Sequence, residues 1–290
     1  MSERDSWRWV GASVRGTSHV GGGLPCQDAS AIRQFEHAAH GAVLVLACAD
    51  GAGSASMSQV GSLLAVRSVV RTVANFVADG HGVRDIDDGI LRRWFEVAAA
   101  DLQEEADEAE RPIGDYACTL LCAIVDQHAA AYAQLGDGAI VAGCGDDVAP
   151  VFWPQQGEFA NSTFFITSPR HLELVQTRTH GEVPERIALM SDGLQNLALR
   201  MSDRTAHAGF FSPLFDGLLA QPVGLAEGLE LPLAEFLDSP RINARSDDDK
   251  SLLLAVRELP EMVEEEADVR ATRESTRRPP ITDAESEEVD

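Results

Sequence analysis

The chain has 290 residues, 44% of them hydrophobic, enough to bury the core of one large domain or two small ones. Its formal net charge is −24, with Lys250 the single lysine. That balance excludes a nucleic-acid ligand, because a phosphate backbone is held mainly through Lys and Arg. It also repels any anionic substrate unless cations intervene.

The five cysteines, Cys26, Cys48, Cys118, Cys122 and Cys144, are an odd set with no secretory leader before them, which fits a reduced, cytoplasmic compartment. Cys118 and Cys122 do not have zinc-pair spacing, and all five read as small buried hydrophobes. No apolar run approaches the roughly 18 residues a membrane helix requires, so no membrane is expected.

In chain order, residues 7–14 alternate and read as a strand, and the Gly-rich, polar stretch 15–25 as a loop. Residues 41–49 (GAVLVLACA) form a continuous apolar run, a buried strand. Helical spacing of apolar residues predicts a helix over 58–79, with Ser56 or Ser58 as its cap, and a second over 88–109. Residues 117–126 read as a buried strand. Residues 128–144 read as a strand, a Gly-Asp-Gly turn and a strand, a hairpin signal. Further strands are expected at 161–169, 185–194 and 251–256. Within the mixed segment 195–245, FFSPLFDGLLA and PLAEFLDS are helical candidates, and the segment is a candidate cover for the site. Many strands with few early helices point to antiparallel sheets with segregated helices, an α+β class. Residues 1–257 read as one domain. Residues 258–290, rich in charge and poor in apolar residues, read as a disordered acidic tail.

Three aspartates mark the chemistry. Asp50 ends the apolar run 43–49, Asp192 ends 186–190, and Asp248 precedes 251–256. Carboxylates at the rims of three buried strands suggest one acidic site assembled by the fold. Two carboxylates about 4 Å apart repel by roughly 4 kcal/mol at an effective dielectric of 20, so such a group takes up protons or binds cations. Mg²⁺ and Mn²⁺ prefer oxygen ligands, and a pair of them can polarise a water for attack on phosphorus. Gly51 and Gly193, directly after two of the aspartates, permit sharp turns; one Asp-Gly alone is usually nothing more.

The ordered set CQDA (26–29), ADGAGSA (49–55), CTLLCAIV (118–125), QLGDGAIV (134–141), LMSDGL (189–194) and DDKSLLLAV (248–256) resembles the metal-dependent protein serine/threonine phosphatases of type 2C, in a bacterial form, across roughly residues 7–257. The resemblance implies a central sandwich of two antiparallel β-sheets flanked by helix pairs, in four α-β-β-α layers. It implies two Mg²⁺ or Mn²⁺ ions, with Asp50 bridging, Gly51 lending a carbonyl, and Asp28, Asp192 and Asp248 as further ligands. A third, weaker ion is expected at Asp115. Asp137, in LGDG, matches a structural turn. The implied partner is a phosphoprotein, with a cognate Ser/Thr kinase, acted on by a monomer.

The sequence departs from that pattern at Gln27, where the family commonly has Glu, and it lacks a clear counterpart of the phosphate-contacting Arg. Arg15 is a candidate for that contact, through bidentate bonding. His19 is a candidate proton donor to the leaving group. The same departures motivate an alternative, a non-catalytic phosphatase-like binding module. Gly21–Gly23 lack the strand–loop–helix and Lys of a phosphate cradle and read as a flexible loop.

Overall fold

The computed structural model describes residues 6–37, 41–156, 163–179 and 183–258. The strand expected at 161–169 is not formed in its described part, 163–169, which is irregular and turn-rich. The tail beyond Glu258 lies outside the described residues.

The elements run β1 (Arg8–Val14), α1 (Thr17–Gly22), β2 (Ala29–His37), β3 (Gly41–Ala49), α2 (Ser58–Ala78), α3 (Asp88–Glu108), β4 (Leu120–Val125), β5 (Ala130–Leu135) and β6 (Ala139–Cys144). They continue β7 (Asp147–Pro150), α4 (His171–Leu174), β8 (Gln176–Thr179), β9 (Arg186–Met190), α5 (Gln195–Ala198), β10 (Leu199–Arg200) and β11 (Thr205–Ala206). The last are α6 (Ala208–Leu219), β12 (Gly224–Leu225), α7 (Glu227–Leu237), α8 (Pro240–Asn243) and β13 (Lys250–Val256).

Two sheets form the centre, in the strand orders β2-β3-β4-β5-β8 and β12-β1-β13-β9-β6-β7. All pairings are antiparallel except the short parallel one of β1 with β12. This is the expected α+β sandwich, and its period-2 side-chain alternation explains the unbroken apolar runs. On β3, Val43, Val45, Ala47 and Ala49 face the helix layer of α2 and α3, while Leu44, Leu46 and Cys48 enter the layer between the sheets. On β13, Leu252, Leu254 and Val256 meet Phe211, Phe215 and Leu237 from α6 and α7, while Leu253 and Ala255 face inward. Both faces are dry, so both sets of positions are apolar.

Three further expectations need correction, and one strand was not expected. The Gly-Asp-Gly turn does not close a hairpin: β5 belongs to one sheet and β6 to the other, so residues 136–138 cross between sheets. A strand–turn–strand pattern cannot tell these outcomes apart when every strand is buried on both faces. The stretch 15–25 contains the short helix α1, ended by Gly23 in the left-handed region at φ 69°. Strand β2 goes unread because its residues mix polar and apolar, as suits a sheet-edge strand. Neither Ser56 nor Ser58 caps α2, whose N-cap is Met57 with no side-chain hydrogen bond. By contrast α3 starts at Asp87, whose carboxylate accepts the Ile90 amide at 2.7 Å.

Helices α6 and α7 cover the outer face of the six-stranded sheet, where their apolar stripes have a partner, rather than the site. Helix α2 has the length and apolar composition of a membrane span, yet Ala65, Val66, Val69, Val73 and Val77 are buried against α3 and the five-stranded sheet. All five cysteines are free thiols. Cys48, Cys118 and Cys122 are buried as expected, Cys26 is half-buried, and Cys144 is exposed at the end of β6.

Candidate active site

One end of the sandwich gathers acids from five places in the chain. Asp50 follows β3, Asp192 follows β9, Asp137 lies on the crossing from β5 to β6, Asp28 precedes β2 and Asp248 precedes β13. The register makes these ends coincide: Ala29 pairs with Ala49, and Met190 pairs with both Leu252 and Ala139.

Asp50, Asp137 and Asp192 each offer a carboxylate oxygen within 4.8 Å of the others. Asp137, read from the sequence as a turn residue, is therefore a member of the group. Burial is the main cause that raises the Asp50 carboxyl well above its ordinary range, followed by the negative fields of Asp28, Asp192, Asp137 and Asp248. Burial, with Asp137, Asp248 and Asp28, pushes Asp192 up to about 7. Asp28 is pushed up to about 6, chiefly by burial, with the Ser191 and Ser251 hydroxyls acting against it. Asp137 is raised by burial, opposed by the Thr163 hydroxyl.

The carboxylates are held from behind and left open in front. Ser251 Oγ donates to Asp28 Oδ2 at 2.8 Å, and the Asp248 carbonyl accepts from Lys250 Nζ at 2.9 Å. Lys250 is fully buried and also donates to Asn243 Oδ1 on α8, fixing the start of β13. Gln195 Nε2 donates to the Asp137 carbonyl, which fixes the crossing. Yet Asp28 Oδ1, Asp137 Oδ1 and Asp192 Oδ1 are buried without hydrogen-bond partners. Buried polar oxygens are almost always satisfied. Two of these oxygens, on Asp137 and Asp192, belong to the group within 4.8 Å that Asp50 completes, and such a group is the donor set of a hard divalent cation, so the residues present fit one.

The two glycines after the aspartates are required by space. A Cβ on Gly51 would lie 2.7 Å from the Gln27 carbonyl oxygen, and one on Gly193 would lie 2.1 Å from the Asp249 carbonyl oxygen. Gly51 also bridges to Cys118, joining the turn after β3 to the strand that leads into β4.

Asp249 was missed in the sequence. It is buried, and its carboxylate accepts the Gly16 amide at 2.6 Å and the Gln27 amide at 2.5 Å. His19 Nδ1 lies 2.9 Å from Asp249 Oδ2, out of line for a hydrogen bond but within ion-pair reach. Three segments, β1–α1, α1 and the approach to β2, are thus pinned to one carboxylate. The signal was the run Asp247–Asp249, three consecutive carboxylates just before a buried strand.

Arg15 is exposed, and its Nη1 donates to the Leu24 carbonyl at 3.2 Å, bracing the loop that leads to Gln27. Asp115 does not join the carboxylate group. It pairs with Arg111 at 3.3 Å, and its carbonyl accepts the Met57 amide.

Comparisons with known proteins agree with this geometry. A family profile described as Protein phosphatase 2C matches residues 15–238. Serine/threonine-protein phosphatase 3 of Escherichia coli (strain K12) is 36% identical over 252 residues, covering 87% of this chain and 98% of that protein. Among solved structures, the serine/threonine phosphatase Stp1 from Staphylococcus aureus superposes with a TM-score of 0.56 at 15% identity, over 87% of this chain and 95% of that one. PppA, a regulatory component of the T6SS in Pseudomonas aeruginosa, gives 0.57 at 16% identity, over 87% and 98%. The two structural likenesses carry the fold alone. The profile and the E. coli relative carry more: with its open group of carboxylates at one end of a four-layer sandwich, the chain belongs to the protein phosphatase 2C family, whose members are metal-dependent enzymes.

Proposed function

We propose that the chain hydrolyses phosphoserine and phosphothreonine esters in proteins at two divalent cations, Mg²⁺ or Mn²⁺, held by Asp50, Asp137 and Asp192 with Asp28, Asp248 and the Gly51 carbonyl. The observation that carries this reading is the group of Asp50, Asp137 and Asp192 carboxylates within 4.8 Å of one another, in which Asp137 and Asp192 each keep a buried oxygen without a protein partner. The bound cations supply the positive charge a phosphoryl group needs and acidify the water that attacks it.

The remaining roles belong to the protein. Asp50, the carboxylate most crowded by the other aspartates, would be a ligand held in common by the cations. Arg15, tied by one of its N–H groups to Leu24, keeps others for the phosphoryl oxygens. His19, oriented by Asp249, protonates the departing serine or threonine oxygen.

The partners that follow are phosphoproteins modified by a Ser/Thr kinase, with no nucleic acid and no membrane. The enzyme acts as a cytoplasmic monomer, through a domain spanning residues 1–257 and bearing the acidic tail 258–290.

The test is release of phosphate from a phosphoserine peptide by purified protein with Mn²⁺ or Mg²⁺. Phosphate release that persists in EDTA, or in Asp50→Asn, would overturn the reading.

A further inference from the structure

Beside the carboxylate group, residues 24–27 on one side and residues 53–60, the turn after Asp50 and the first residues of α2, on the other line a cleft of about 270 Å³. Both walls adjoin the site along the chain: Gln27 immediately precedes Asp28, and Gly53 lies three residues after Asp50. Its volume is enough for one amino-acid side chain.

Leu24, Pro25, Ala55, Met57 and Val60 give the cleft apolar walls, and no charged side chain lines it among the described residues. Leu24 is 42% exposed, an apolar surface left facing water at the rim. Gln27, 6% exposed, lies in the wall, and its Oε1 accepts no hydrogen bond from the protein. A buried amide oxygen without a partner is uncommon.

The walls are set before anything enters. Arg15 holds the Leu24 carbonyl, Ser62 Oγ donates to the Gln27 carbonyl at 2.6 Å, and the Met57 amide is bonded to Asp115. Arg111 Nη1 bridges Asp115 and Ser56 Oγ at 3.3 and 3.4 Å.

We propose that this cleft is a specificity subsite that takes an apolar side chain from the residue next to the phosphorylated serine or threonine of the substrate. The proposal rests on the phosphatase reading above. A charged flanking residue would be desolvated there with no counter-charge, whereas Leu, Met or Phe would remove apolar surface from water on both partners. The substrate class is therefore a phosphopeptide with an apolar residue directly flanking the phospho-residue.

The experiment compares kcat/KM, with Mn²⁺, across synthetic phosphoserine peptides carrying Leu, Phe, Gly, Asp or Arg on each side of the phosphoserine. At one flanking position, Leu and Phe are expected to exceed Asp by about tenfold or more, the usual scale for an apolar pocket. Ala55→Phe, which fills the cleft, is expected to bring the Leu-to-Asp ratio towards one. Ser54→Glu, on the exposed rim, is expected to lower the Leu-to-Arg ratio by about tenfold through attraction to the arginine. Each ratio is internal to one protein, so a general loss of activity does not imitate the effect. A flat profile in the wild type, or wild-type ratios in both variants, would overturn the subsite. Hydrolysis of p-nitrophenyl phosphate separates the two levels: a wild type that hydrolyses it but shows no flank preference loses the subsite alone. A wild type that fails on it with Mn²⁺ loses the phosphatase reading and the subsite together.

Discussion

Asp50 and Thr119 hold each other by two hydrogen bonds: the Asp50 amide donates to Thr119 Oγ1 at 2.9 Å, and the Thr119 amide donates to the Asp50 carbonyl at 2.8 Å. The main chain at the most crowded carboxylate is therefore fixed by its neighbour on the strand leading into β4. The carboxylate itself is free to serve a ligand, and structure and chemistry at this residue can be separated by mutation.

Asp50→Asn should keep the fold and lose the activity. The backbone pair with Thr119 is untouched, while one charge leaves a buried group in which burial and four other aspartates already oppose ionisation. Mn²⁺-dependent phosphopeptide hydrolysis should fall by about a hundredfold or more, given what a bound metal contributes. Without metal the variant should melt above the wild type, and Mn²⁺ should raise its Tm less. Scanning calorimetry with and without Mn²⁺ checks both.

Thr119→Val should do the reverse. It is buried, and the change leaves the Asp50 amide without an acceptor while conserving volume. A cost of about 1–3 kcal/mol is expected from the orphaned donor. Denaturant unfolding measures it, and activity should fall less than in Asp50→Asn.

The pH dependence of the metal-free protein has a definite sign. The folded-state carboxyls of Asp28 and Asp192 are raised to about 6 and about 7 from an ordinary 3.8. Between pH 4 and 7, roughly, the folded state holds protons that the unfolded chain has released, so this contribution to stability falls as pH rises. Metal competes with those protons, so Mn²⁺ affinity should increase across the same window. Thermal melts from pH 5 to 8, with EDTA and with Mn²⁺, should diverge as pH rises. Parallel curves would contradict the assignment.

His19→Ala should distinguish substrates by leaving group. A serine alkoxide needs a proton as it departs and p-nitrophenolate does not. Phosphopeptide turnover should fall by about a hundredfold, the lower end of general-acid effects, and aryl phosphate turnover by much less. Equal losses on both would assign His19 to bracing rather than proton transfer.

Much of this was legible in the chain. Runs such as GAVLVLACA and SLLLAV identify strands dry on both faces, and aspartates at their rims identify the site's end of the sandwich. Roles that depend on register were not. Asp137 looked like a hairpin turn because nothing local reveals that β5 and β6 lie in different sheets. Asp249 was hidden among three consecutive aspartates, whose directions are set by Gly16 and Gln27, residues more than 200 positions away. Strand β2 escaped because its polar edge carries little periodicity.

The crossing at residues 136–138 has a mechanical consequence. Asp50 hangs from the five-stranded sheet, Asp192 from the six-stranded sheet, and Asp137 from the short span that joins them. A cation gripped by all three would be a clasp between the two leaves, added to the polar ties of Ser251 to Asp28 and of Asp249 to Gln27 at the same end. Any slippage of one leaf against the other would be felt first as a change in grip. On the ligand set proposed above, the cation would act as a fastener as well as a reagent, so divalent-ion supply should set how long the enzyme endures as well as how fast it works.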